Sequence, residues 1–229
     1  MERNSTARRE ARMSLKGKWG GAVLATLLFL LIVFALSSPS SLNYFIKMPL
    51  TVKLSMPLGT LLLTIFVLFP LEFGYINSML DLTRGVETGT VKNMFSIGFK
   101  CNYWRSIGSL LLAGIYVFLW SLLLLIPGII KSMAYSLSYF IVRDNPDIAV
   151  DDCIYLSRKL MKGHKWEMFL LQLGFVLLSI LVGCITLGIG LLWMIPYLYC
   201  SYARFYERLK DEQWQGASAY EMLQKYHGR

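Results

Sequence analysis

Histidine is nearly missing from this chain, two residues among 229, and cysteine occurs only four times. His164 and His227 stand apart among basic residues, and no Cys or His spacing suits zinc, so no metal is expected. Cys101 and Cys153 fall on a side where thiols stay reduced, while Cys184 and Cys200 sit at depths about 15 Å apart, too far for a bridge. There is no Gly-x-Ser-x-Gly elbow, no His-Glu-x-x-His pair and no phosphate-cradling glycine loop. Acids are scarce too, 14 against 23 lysines and arginines, and inside the apolar stretches Glu72 has no histidine or aspartate at its depth to serve as a catalytic partner. Those absences argue against an enzyme and against a cofactor. Basic residues interleaved with aromatics on a soluble platform are also lacking, which argues against nucleic-acid binding.

What remains is apolar. The chain is 55% hydrophobic, 14% aromatic and only 16% charged, with a mean hydropathy of +0.51, far from the soluble average. Crossing hydrocarbon takes roughly 20 apolar residues, and six stretches are read as spans, 19–36, 58–80, 106–126, 128–142, 166–185 and 187–206, although 128–142 contains Lys131 and is short for one. Ser37 to Ser41 closes the first, in a manner a cleaved signal peptide could share. Pro127-Gly128 reads as the turn of a second hairpin, and Thr186 to Gly190 as that of a third. Residues 1–18 form a basic leading segment and 207–229 a tail.

Charge orients these stretches. With six spans, 20 of the 23 basic residues fall on one side and only Lys47, Lys53 and Lys131 on the other. Basic loops stay in the cytoplasm, so both termini are expected there. A single long span over 106–142 would spoil the segregation. The net charge of +9 then matches anionic headgroups at the cytoplasmic surface.

A threefold pattern runs through the chain. Each outgoing span is introduced by a basic segment and a Trp beside a cation: Lys18-Trp19, Trp104-Arg105 and Lys165-Trp166. These tryptophans suit the headgroup level. The segment 146–162 reads as an amphipathic helix capped by Asn145, with Ala149, Cys153, Leu156 and Leu160 on one face and Gly163 at its end. The expected fold is therefore all-α: six transmembrane helices in three hairpins, with amphipathic cytoplasmic helices. A pseudo-threefold repeat is the sharper expectation. General membrane rules applied to three independent hairpins would give the same belts.

Several strings resemble a known family. Leu15-Lys16-Gly17-Lys18-Trp19, Ile126-Pro127-Gly128-Ile129-Ile130-Lys131-Ser132, Ala134-Tyr135-Ser136, Asp144-Asn145-Pro146-Asp147, the run from Ser157 to Lys165, Thr186-Leu187-Gly188-Ile189-Gly190, Pro196-Tyr197 and Phe205-Tyr206 are similar to the bacterial integral membrane family called domain of unknown function 975. The resemblance covers about residues 8–210 and implies a plasma-membrane protein of a bacterium. It carries no activity and no catalytic residues. A looser similarity leads to the membrane domain attached to some glycerophosphodiester phosphodiesterases, whose catalytic motifs do not occur here.

An ionisable group within hydrocarbon is a functional candidate by default. Glu72 is the one acid so placed, two residues after Pro70, which frees the Phe66 carbonyl. Gln172 and Lys131 are its candidate partners from other spans. Gly17, Gly21 and Ala25 form a small-residue stripe for close helix packing, within the chain or against a second copy or partner protein. The leading expectation is a non-enzymatic scaffold, assembly or regulatory module. The alternative is a small transporter or channel that uses Glu72.

Overall fold

A computed structural model describes residues 2–42, 58–86, 89–100, 103–123 and 125–227, and every element among them is helical. Lys47, Lys53 and Cys101 lie outside the described residues. The elements are α1 (Glu2–Leu15), α2 (Trp19–Leu42), α3 (Leu58–Thr83), α4 (Thr90–Phe95, running on as a π-helical turn Ser96–Lys100), α5 (Tyr103–Leu123), α6 (Leu125–Tyr135), α7 (Ser138–Asp144), α8 (Val150–Leu160), α9 (Lys165–Ile185), α10 (Leu191–Trp214) and α11 (Ala219–His227). Four of them, α2, α3, α5 and α9, include stretches long and apolar enough to cross a membrane.

The first hairpin joins α2 to α3. Thr26 and Tyr75 share a hydrogen bond of 2.7 Å in its interior, and the Tyr75 ring stacks on Phe29 and meets Tyr199 of α10 edge-on. Pro70 has no N–H, and ahead of it α3 loosens into a π-turn, Thr64–Leu68. α4 then runs back along α3. A Cβ on Gly74 would collide with the Met94 carbonyl and one on Gly98 with the Pro70 carbonyl, so the two backbones touch where only glycine fits.

The second hairpin differs from expectation in three respects. α6 already begins at Leu125, so Pro127-Gly128 falls in the first turn of that helix, where proline is well tolerated and Gly128 lets α6 press on Ser121. Its returning arm is broken, α6 and α7 being only 11 and 7 residues long. And α4 is no surface helix, because its glycine contact carries it along α3 and sets Trp104 edge-on to Phe66, about 25 Å along α3 from the Thr83 end.

The third hairpin, α9 and α10, turns over 186–190, with Gly188 donating to Gly183 and the Thr186 hydroxyl accepting from Gly190. The remaining expectations also shift. α2 passes through Pro39 to Leu42 instead of stopping at Leu36. α8 begins at Val150, not Pro146, because the Asn145 amide donates backward to the Ile141 carbonyl and caps nothing ahead of it. Cys153, Leu156 and Leu160 are buried as the pattern implies, whereas Ala149 is exposed. They pack on the second hairpin: Ser157 donates to the Ala134 carbonyl and Tyr116 to Asp151. The tail is not free, since Met222 and Leu223 of α11 are buried and Tyr155 donates to the Tyr226 carbonyl.

Candidate functional site

Two polar clusters join the hairpins, and sequence reading anticipated only one of them. Glu72, half-buried on α3, acts electrostatically on Tyr139 of α7 and Tyr199 of α10. Tyr202, one residue-turn further on α10, pairs with Gln172 of α9. Glu72 thus lies within electrostatic range of the other two hairpins, and Gln172 joins the same neighbourhood through a tyrosine. Lys131 does not. Its ammonium sits 4.1 Å from the centre of the Trp120 ring and within electrostatic reach of Arg158 and Lys165, because α8 lies against the second hairpin.

The second cluster centres on Asp144, the last residue of α7. Its carboxylate takes two hydrogen bonds of 2.8 Å from Arg84 beyond α3, one of 2.8 Å from Lys210 and one of 2.9 Å from Tyr206, both on α10. Burial resists ionisation of Asp144, but Arg84 and Lys210 outweigh it and hold its carboxyl down at about 2. Burial likewise opposes the charge on Arg84, yet Asp144 and Glu207 keep it more firmly protonated than usual. Around this node Arg143 pairs with Asp81, Arg208 with Glu167, and Arg204 reaches both Ser14 and the Thr83 carbonyl. Arg105 donates to the carbonyls of Asn145 and Ile148, closing the second hairpin at its foot. The ends of α1, α3, α7, α9 and α10 thus share one ionic belt.

The only sequence signal for that belt is the placement of acids at the edges of apolar runs: Asp81, Asp144, Glu167 and Glu207 all stand there beside the basic flanks. Which acid meets which base is a tertiary fact.

The packing candidates divide. Gly17 sits in the turn between α1 and α2 at φ +80°, with nothing within 4 Å of a Cβ, so it reverses the chain instead of packing a helix. A Cβ on Gly21 would lie 3.1 Å from the Thr90 hydroxyl, so α2 and α4 approach closely there, and Ala25 is fully buried beside Ala22. Trp19 is partly packed into the first hairpin, while Trp104 and Trp166 are 73% and 66% exposed, the latter stacked on Phe169. Cys184 and Cys200 are free, and no group of ligating side chains suits a metal among the described residues.

Every element among the described residues is helical, and four of the helices have the length and apolarity of membrane-crossing ones, the class of architecture that helical membrane proteins share. The chain belongs to the family described as protein of unknown function (DUF975), whose model matches residues 1–130 and 122–213. No curated protein and no solved structure is matched by the chain.

Proposed function

We propose that this is a six-span plasma-membrane protein of a bacterium, with both termini in the cytoplasm, acting as a non-enzymatic scaffold, assembly or regulatory module. Support for the orientation comes from the ionic belt, which gathers Ser14, Arg84, Asp144, Glu167 and Lys210 at one level, so that each intervening stretch leaves and returns. The basic residues gathered at that level, Arg84, Arg143, Arg204 and Lys210 among them, favour the cytoplasm for it. The recurrence of a short helix before each outgoing long one, α1 before α2, α4 before α5 and α8 before α9, supports an internal threefold pattern.

The observation that carries the scaffold reading is the filled interior. Phe73, Tyr75, Phe140, Phe205 and Tyr206 are each less than 2% exposed, and Thr26 and Tyr75 satisfy each other there. A solid aromatic core locks helices and leaves the basic cytoplasmic face, with its anionic lipids, as the surface for membrane-protein partners or a second copy. In-cell photocrosslinking from exposed Lys162 or Lys225 tests this, a reproducible membrane-protein partner being expected.

A second reading is favoured by one cluster. Glu72 among tyrosines of two other hairpins, with Gln172 close by, is chemistry suited to a proton or cation path. Flux into vesicles reconstituted with wild type or Glu72→Gln separates the two: flux abolished by the substitution would defeat the scaffold.

A further inference from the structure

Arg8, Arg9 and Arg12 of α1 line a cavity of about 680 Å³ whose opposite wall is Leu170, Phe175 and Leu178 of α9. Arg8 is built into it. Its terminal nitrogen donates to the Leu171 carbonyl at 3.4 Å, its guanidinium lies 4.9 Å from the centre of the Phe175 ring, and Gly174 makes the space, since a Cβ there would strike it. Its Nε is nonetheless buried with no hydrogen-bond partner. Arg12 lies 5.9 Å from the Tyr197 ring centre, and both Arg9 and Arg12 are exposed. Among the described residues no carboxylate lines the cavity.

Three guanidiniums without a local counter-charge call for an anion, and phosphate oxygens accept from such groups in strong, charge-assisted bonds. The other wall asks for something else. Leu170 to Leu178 extends about 12 Å along a helix apolar enough to cross a membrane, and an inorganic anion would leave it bare. A molecule with phosphate at one end and hydrocarbon at the other meets both walls. We infer that the cavity between α1 and α9 binds one anionic phospholipid, its phosphodiester on Arg8, Arg9 and Arg12 and an acyl chain along Leu170, Phe175 and Leu178. This rests on the membrane placement proposed above. Because Ser14 of α1 is held by Arg204 of the ionic belt, the lipid would anchor the basic leading helix to the base of the bundle.

Native mass spectrometry of the full chain in detergent, titrated with phosphatidylglycerol, phosphatidylcholine or soluble glycerol 3-phosphate, tests this. One phosphatidylglycerol should bind about tenfold more tightly than phosphatidylcholine, and glycerol 3-phosphate should not displace it. Arg9→Gln/Arg12→Gln leaves the Arg8 contacts in place and should lower binding to the phosphatidylcholine level. Lys162→Gln/Lys225→Gln removes the same charge from exposed positions elsewhere and should retain it. Equal binding of the two lipids, displacement by glycerol 3-phosphate, or equal loss in the two double variants would overturn the site. Each of these outcomes leaves the membrane placement standing; a chain monodisperse without detergent would remove that placement itself.

Discussion

The Tyr103 hydroxyl donates to the Phe66 carbonyl at 2.8 Å, across from one helix to another. Phe66 lies in the π-turn just ahead of Pro70, whose missing N–H leaves α3 one donor short there, and the phenol supplies a donor from a second helix. Tyr103→Phe should cost about 1–2 kcal/mol. In a Pro70→Ala background, where α3 regains a donor, the same change should cost less. A double-mutant cycle read by thermal unfolding in mild detergent measures the coupling, and strict additivity would show that the two residues act independently.

Close approach of α3 and α4 sets a second expectation. The colliding atom at Gly98 is the backbone oxygen of Pro70, which cannot swing away as a side chain can. Gly98→Ala should therefore destabilise by about 1–3 kcal/mol despite the better helix propensity of alanine. Gly114→Ala, on a helix face with nothing within 4 Å, should be neutral or slightly stabilising. Equal melting temperatures for the two variants would contradict the backbone contact.

Asp144 gives the fold an acid limit. Its folded carboxyl titrates at about 2, below the roughly 3.9 of an unfolded aspartate, so its stabilisation is complete above the unfolded value and drains away as pH falls through the folded one. A gap of that size is about 2–3 kcal/mol. The stability difference between wild type and Asp144→Asn should be largest above pH 5 and shrink between about pH 4 and pH 2. A difference independent of pH would mean that Arg84 and Lys210 do not hold the carboxylate.

Much of the helical framework is legible in the sequence because it rests on local pattern. Met168 to Ile185 is apolar but for Gln172 and Ser179, and the polar-glycine break at 186–190 returns the chain where spacing places it. Pro127-Gly128 misleads because proline serves the first turn of a helix as well as a loop, and only the packing of Gly128 on Ser121 decides between them. α4 is illegible for a different reason: the contact that fixes it joins Gly98 to Pro70, and nothing in either residue names the other. At the site, Glu72 stands out as an acid in an apolar run. Its tyrosine neighbours do not, since a tyrosine on an apolar face looks like core. The Asp144 node escapes because acids at span ends resemble ordinary loop residues until Arg84 and Lys210 are brought against them.

Cys153 reports on how firmly α8 is seated. It faces the core, and burial pushes its thiol up to about 11 against the opposing pull of Arg105, so at neutral pH the reactive thiolate is a trace species. In a Cys101→Ser/Cys184→Ser/Cys200→Ser background, which leaves Cys153 as the single thiol, maleimide added to folded protein should leave Cys153 unmodified until the chain is unfolded. Ser157→Ala removes the bond to the Ala134 carbonyl that fastens the same helix, a loss of about 1 kcal/mol, or roughly fivefold in the population of locally opened α8. Labelling monitored by intact mass should accelerate by about that factor. Rapid modification of Cys153 in the otherwise unaltered protein would mean that α8 does not pack on the second hairpin, and with it would go the account of why Lys131 stands beside Arg158.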